Sequence, residues 1–321
     1  MNCYFCGIDN EDDELEIDPY RRGFWCGFCD GYTYLDGVHA HRFTLILEDK
    51  QQKNTPAPAI GIKLKKQLSP LRYPGGKSKF IPYVYARMQS TKCQKLISPF
   101  AGGGSLELAL LHAGAVQELI MNDLDFGIYA LFWTIKHAPD DLISRIRSSR
   151  LSHNGFFKAQ SIVKADYAGC TIVDAAWYVL LVNRLAYSGI FSANPLGGRR
   201  GKKPDLLSRW NPDDLCRRIS AIHKMSDRIT IQNMDACRLI EEAYWDEKAT
   251  IFIDPPYVQK GQQLYRCFYT REQHIELCTL LDSLHQGMPG ADMILCYDND
   301  PLITELYEYP DVEHIGRVYS I

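Results

Sequence analysis

No apolar run in these 321 residues approaches the roughly 20 needed to cross a bilayer, so a membrane-spanning helix is not expected. A basic excess is missing too: 36 Lys and Arg against 39 Asp and Glu leave a net charge of −3, which disfavours a uniform nucleic-acid coat but permits local basic patches. The start lacks the basic-then-apolar pattern of a secretory leader. Met1 runs directly into Asn2, Cys3, Tyr4, Phe5 and Cys6, so the reading is a cytoplasmic protein. An odd count of 11 cysteines without such a leader points away from a disulfide framework. The G-x-G-x-x-G fingerprint is absent as well, which disfavours NAD or FAD.

Four cysteines are organised. Cys3-x-x-Cys6 and Cys26-x-x-Cys29 form two knuckles whose spacing fits a four-thiolate zinc site. Four thiolates complete a tetrahedron and leave no place for water or substrate, so the metal is expected to be structural. A segment this short buries too little core on its own, and zinc would supply the missing folding energy. Phe24, Trp25, Phe28, Tyr32 and Tyr34 either pack around the metal or form a binding face. The other seven cysteines are scattered and read as small buried hydrophobes. From Glu48 the composition turns to Gln, Lys, Asn, Pro and Ala. Residues 1–47 therefore read as a zinc module and 48–67 as a linker to a separate body.

In the body, short apolar runs alternate with helix-like stretches, the pattern of an α/β domain with a largely parallel sheet. Strand candidates at 95–98, 119–121 and 250–253 each end in a cluster suited to ligand binding, the place where open α/β sheets put their ligands. The first runs into Phe100-Ala101-Gly102-Gly103-Gly104 before a helix at 105–112, so backbone can approach a ligand at a helix amino end. Taken alone, a triple glycine is equally a tight turn. Asp123, at the end of the next strand and roughly 20 residues on, adds the carboxylate that grips ribose hydroxyls in nucleoside sites. The third strand exits into Asp254-Pro255-Pro256-Tyr257. The two prolines stiffen the chain and remove two N–H donors, leaving the Asp254 carboxylate and the Pro255 carbonyl as acceptors for one amine. Tyr257 supplies a flat face for a planar base. Two runs, Lys63 to Lys79 and Arg199-Arg200-Gly-Lys202-Lys203, read either as solvated loops or as phosphate contacts.

Together these clusters resemble the Dam-like DNA adenine-N6 methyltransferases over about residues 68–320. Arg72-Tyr73-Pro74-Gly75-Gly76-Lys77 looks like the family's opening motif, Phe100 to Ser105 like its glycine motif, Asp123 like its ribose carboxylate, and Asp254 to Tyr257 like its catalytic tetrapeptide. Asp235 resembles an acidic position beside the cofactor's adenine or the catalytic pocket. The resemblance implies a Rossmann-like core that binds S-adenosylmethionine through Tyr73, Gly75, Lys77, Phe100 to Gly104, Asp123 and Asp235. It divides the body into a cofactor part at 68–125, a target-recognition insert of helical bundle and hairpin at 126–228, and a catalytic part at 229–321. Within the insert, Arg184, Arg199, Arg200, Lys202 and Lys203 are the implied contacts to double-stranded DNA. The insert does not match the form associated with GATC, so no target site carries over, and the zinc module is an addition to the family's usual core. A cytosine-C5 enzyme needs a thiolate, commonly in a Pro-Cys pair, and that pair does not occur. Cytosine-N4 methylation makes the same demand on an exocyclic amine, and Asp at the head of the tetrapeptide favours adenine only through the resemblance. A zinc-module DNA-binding protein with an inactive body, and an RNA or protein substrate, are the rivals from other classes. Oligomeric state is left open.

Overall fold

The structure is a computed structural model that describes residues 15–17, 23–26, 32–34, 42–49, 55–65, 67–72, 76–88, 93–258, 266–287, 290–307 and 310–316. Strands β1 (Leu15–Ile17), β2 (Gly23–Cys26) and β3 (Tyr32–Tyr34) form a small antiparallel meander. Cys26 closes β2, whereas Cys3, Cys6 and Cys29 lie outside the described residues, as do Tyr73 and Gly75 of the opening motif.

The body is built on seven strands: β4 (Phe43–Asp49), β5 (Lys95–Ser98), β6 (Glu118–Asn122), β7 (Ile229–Gln232), β8 (Ala249–Ile253), β9 (Asp292–Asp298) and β10 (Asp311–Gly316). Their order is β10-β4-β9-β8-β5-β6-β7, and every pairing is parallel. A parallel sheet is covered on both faces, so its inner strands are largely apolar; β4, β8 and β9 are buried at every position. Successive side chains serve opposite faces. Leu45, Leu47, Ile251, Ile253, Met293 and Leu295 enter one core, while Ile46, Phe252, Ile294 and Cys296 enter the other.

The helices are α1 (Ile81–Met88), α2 (Ser105–His112), α3 (Phe126–His137), α4 (Pro139–Ser148), α5 (His153–Lys164), α6 (Ile172–Leu185), α7 (Lys203–Leu206), α8 (Pro212–His223), α9 (Ala236–Ala243), α10 (Arg271–Gly287) and α11 (Pro301–Leu306). Helices α9, α10 and α11 pack on the face of Leu45, and α1 and α2 on the opposite face. Between β6 and β7 the chain leaves the sheet to form α3 to α8, in which α3 and α6 pack side by side. Asp125 caps α3 by accepting from Gly127 N–H, and Thr171 caps α6 by accepting from Asp174 N–H. None of the helices among the described residues is long and apolar enough to cross a membrane.

Three expectations differ from the fold. Residues 43–49, divided by the sequence reading between module and linker, form an inner strand of the body's sheet between β9 and β10. The stretch after it is no free linker either. Thr55 N–H donates to the Gly316 carbonyl at 3.0 Å, Tyr83 donates its hydroxyl proton to the Thr55 carbonyl at 2.6 Å, and Ile60, Ile62 and Leu64 lie against the core. The hairpin expected in the insert reduces to one antiparallel bridge, Ala186 to Pro195. Pro195 has no N–H for a ladder, and Ser188, Gly189, Gly197 and Gly198 take positive φ angles that turn the chain out of extended pairing.

Candidate functional site

The strand order reverses at β5: β6 and β7 are added on one side, β8 and β9 on the other. Ligands bind at such a switch point, beyond the carboxyl ends of the flanking strands. A partly open cavity lies there. It takes Phe100 to Gly104 from the exit of β5, Asp123 from that of β6, Asp235 from that of β7, and Asp254 and Pro256 from that of β8, with Gly76 and Lys77 closing one side. Asn122 ties these exits together. Its side chain, 1% exposed, donates to the Pro99 and Met234 carbonyls at 2.9 and 3.0 Å and accepts from Met234 N–H at 2.9 Å.

The glycine turn is dictated by backbone geometry. Gly102 and Gly104 have φ of 48° and 61°, and a Cβ on Gly104 would stand 2.4 Å from Met121 Cε. Gly102 N–H donates to Asp123 Oδ2 at 2.8 Å, and Asp125 N–H donates to Asp123 Oδ1 at 2.9 Å, so the carboxylate is oriented before any ligand arrives. Burial, helped by the neighbouring Asp125 charge, pushes the Asp123 pKa up to about 7. Asp235 caps α9 by accepting from Arg238 N–H and stays exposed at the cavity rim.

The tetrapeptide Asp254 to Tyr257 leaves β8 beside Gly76 and Lys77. Lys77, only 5% exposed, donates to Asp254 Oδ1 at 2.6 Å and lies 4.6 Å from the centroid of the Tyr257 ring. That contact engages one oxygen of the carboxylate, Oδ1. Burial raises the Asp254 pKa, the Lys77 ammonium opposes the rise, and Glu48 adds to it. Tyr257 also meets Tyr297 at 6.2 Å between centroids, with its hydroxyl 3.4 Å from Glu48 Oε2.

Three contributions had no sequence motif to announce them. Glu107, buried in the first turn of α2, accepts from Ser98 Oγ at 2.9 Å; burial pushes its pKa up to about 7. Arg266, Cys267, Phe268 and Tyr269 close the cavity opposite the glycine turn, with Tyr269 edge-on to Phe100 at 5.5 Å. Glu48 comes from β4.

The residues expected on DNA do not form one surface. Arg199, Arg200, Lys202 and Lys203 are exposed around the start of α7. Arg184, expected beside them, is 8% exposed and donates to the Arg209 carbonyl at 2.7 Å. Its burial follows from its place in the last two turns of α6, where residues 179–185 are all buried. It lines a separate open hollow with Arg72, Arg209 and Arg218, in which Arg72 Nη1 and Arg184 Nε are buried with no hydrogen-bond partner. Asn183 holds this hollow next to the opening motif, accepting from Arg72 N–H at 2.7 Å and donating to the Arg72 carbonyl at 3.0 Å.

Comparison with known proteins agrees with this geometry. Residues 73–321 match the family model described as D12 class N6 adenine-specific DNA methyltransferase. A curated relative, the type II methyltransferase M.CviBI of Paramecium bursaria Chlorella virus NC1A, is 22% identical over 216 residues, covering 64% of this chain and 75% of its own.

Proposed function

The chain belongs to the D12 class N6 adenine-specific DNA methyltransferase family and methylates adenine N6 in DNA, and we propose the roles of its residues as follows. Asp254, through Oδ2, and the Pro255 carbonyl accept the two N–H bonds of the target amine. A heteroaromatic amine is a poor nucleophile because its lone pair is conjugated with the ring. Two acceptors gripping its hydrogens favour a pyramidal nitrogen with the lone pair directed at the methyl donor. Pro256 fixes the path of the chain, and Tyr257 stacks the base. Inside a duplex the amine is paired, so the adenine is flipped out at a cost of a few kcal/mol, of which stacking offsets roughly 1–3 kcal/mol.

The donor fitting this cavity is S-adenosylmethionine. The positive-φ glycines bring bare backbone to the ligand, and Asp123 offers an oriented carboxylate to ribose hydroxyls. Phe100, Ala101, Gly102, Gly103, Gly104, Asp235 and Lys77 would complete the site, with Tyr73 and Gly75 of the opening motif. When bound, S-adenosylmethionine supplies a methyl made electrophilic by its sulfonium. The observation carrying the reading is that one cavity contains both the glycine turn and Asp254.

Double-stranded DNA would lie against the insert, with Arg199, Arg200, Lys202 and Lys203 on phosphates and the arginine hollow taking a further one. The type II relative supports a restriction-modification role at a defined site. Cys3, Cys6, Cys26 and Cys29 would hold one structural zinc. Metal analysis of the full chain, expected to find about one zinc per molecule, checks that assignment, and a metal-free active protein would refute it.

Digesting DNA methylated by the chain and identifying the modified nucleoside tests the chemistry. N6-methyladenine is expected, and N4-methylcytosine alone would overturn it. Asp254→Ala should lower turnover by at least about 100-fold while leaving DNA affinity intact.

A further inference from the structure

The family match begins at residue 73, yet one side chain at the catalytic tetrapeptide comes from residue 48. Strand β4 delivers it. With β9 and β10 paired on either side, β4 cannot shift without breaking two ladders, and a one-residue slip would turn its side chains to the wrong face. Glu48 sits next to last on this strand and is 3% exposed. Its carbonyl accepts from Asn299 N–H at 3.1 Å, which fixes the backbone at the strand's end. Its carboxylate reaches the Tyr257 hydroxyl at 3.4 Å, a long contact of the kind that tightens as catalytic complexes assemble.

The surroundings make this contact specific. The ring of Tyr257 is approached by the Lys77 ammonium at 4.6 Å and by Tyr297 at 6.2 Å with an interplanar angle of 38°. Neither contact stops the ring from sliding in its own plane. A hydrogen bond at the hydroxyl does, because it anchors the end of the side chain farthest from the backbone. A stacking platform held at its tip loses less freedom when a base arrives and presents that base's amine to Asp254 in one place.

We propose that Glu48 is a positioning residue for methyl transfer: its carboxylate accepts the Tyr257 hydroxyl proton and fixes the ring on which the target adenine stacks. A segment ahead of the family-matched region is thus part of the catalytic site. The inference rests on the reading of Tyr257 as the stacking residue.

The test is a double-mutant cycle in the full chain, read as the single-turnover rate of methyl transfer at saturating duplex DNA and S-adenosylmethionine. Glu48→Met conserves volume and removes the acceptor, and Tyr257→Phe removes the donor. Each is expected to slow transfer by about tenfold, the rate equivalent of one hydrogen bond to a charged group. The double variant should be no slower than either single one, because both remove the same contact. Glu48→Gln keeps an acceptor and should recover most of the rate. S-adenosylmethionine affinity should hold in all four variants, since Glu48 does not line the cofactor cavity. A Glu48→Met rate within about twofold of native, or losses that multiply to about 100-fold in the double variant, would overturn the inference. If Glu48→Met fails to fold, Tyr257→Phe decides, and an undiminished rate there is equally fatal. An inert native chain would sink the functional reading itself, and the inference with it; an active native chain with an equally active Glu48→Met sinks only the inference.

Discussion

Lowering the pH from about 8 to about 6 is expected to weaken S-adenosylmethionine binding about tenfold, through Asp123. Both oxygens of this carboxylate already accept backbone N–H bonds, from Gly102 at 2.8 Å and Asp125 at 2.9 Å. Burial and the Asp125 charge nevertheless push its pKa up to about 7. The folded protein therefore holds a proton on Asp123 at pH values where the unfolded chain, titrating near about 4, does not. On stability the sign follows: the raised pKa favours folding most below about 4, and that contribution is lost as pH rises through about 7. On binding the sign is opposite under the proposed role, because ribose hydroxyls would donate to the ionised form. If only that form binds, affinity scales with the ionised fraction, about 0.9 at pH 8 and about 0.1 at pH 6. Glu107 lines the same cavity and is also pushed up to about 7, so it must be separated. Calorimetric titration of the native chain, Asp123→Asn and Glu107→Gln at three pH values does this. Asp123→Asn should bind about 10–100-fold more weakly at pH 8 and show no slope, while Glu107→Gln keeps the native slope. An Asp123→Asn protein that retains the native pH dependence refutes the reasoning.

Gly104→Ala should cost about 2–4 kcal/mol in chemical denaturation, combining a left-handed backbone with a Cβ at 2.4 Å from Met121 Cε; an unchanged midpoint would show that the turn relaxes freely. Lys77→Met removes the cation that opposes the rise in the Asp254 pKa, so the acid limb of the rate profile should move to higher pH, and an unmoved limb counts against the pair. Arg184→Gln should reduce the salt slope of DNA binding by about one while sparing cofactor affinity, and a native slope would remove the hollow from the DNA interface.

Much of the site was legible because its motifs are local. The strand at Lys95–Ser98, the helix at Ser105–His112 and the exit of β8 into Asp254 can be read from a few adjacent residues, and the fold brings those exits to one cavity. What was missed depends on long-range packing. Phe43–Asp49 becomes a strand by pairing with residues 292–298 and 311–316, and its position between cysteine knuckles and prolines suggested a module's end. Glu107 looks like an ordinary first-turn acid until Ser98 is placed against it. Arg266 carries no motif and gains its place through Asp125 and Asp166. In the insert, basic residues were visible but their exposure was not, so Arg184 was grouped with a loop it does not join.

The place of β4 also constrains how the polypeptide comes to its final form. Arg42 N–H is bonded to Asp292 Oδ1 across a sequence separation of 250 residues. During synthesis the ribbon at 43–49 emerges well before its partners at 292–298 and 311–316 and must wait for them. Such non-local closure is slow and leaves a sticky strand uncovered meanwhile. The sheet therefore cannot close around β4 until both of its later-made neighbours, β9 and β10, are available.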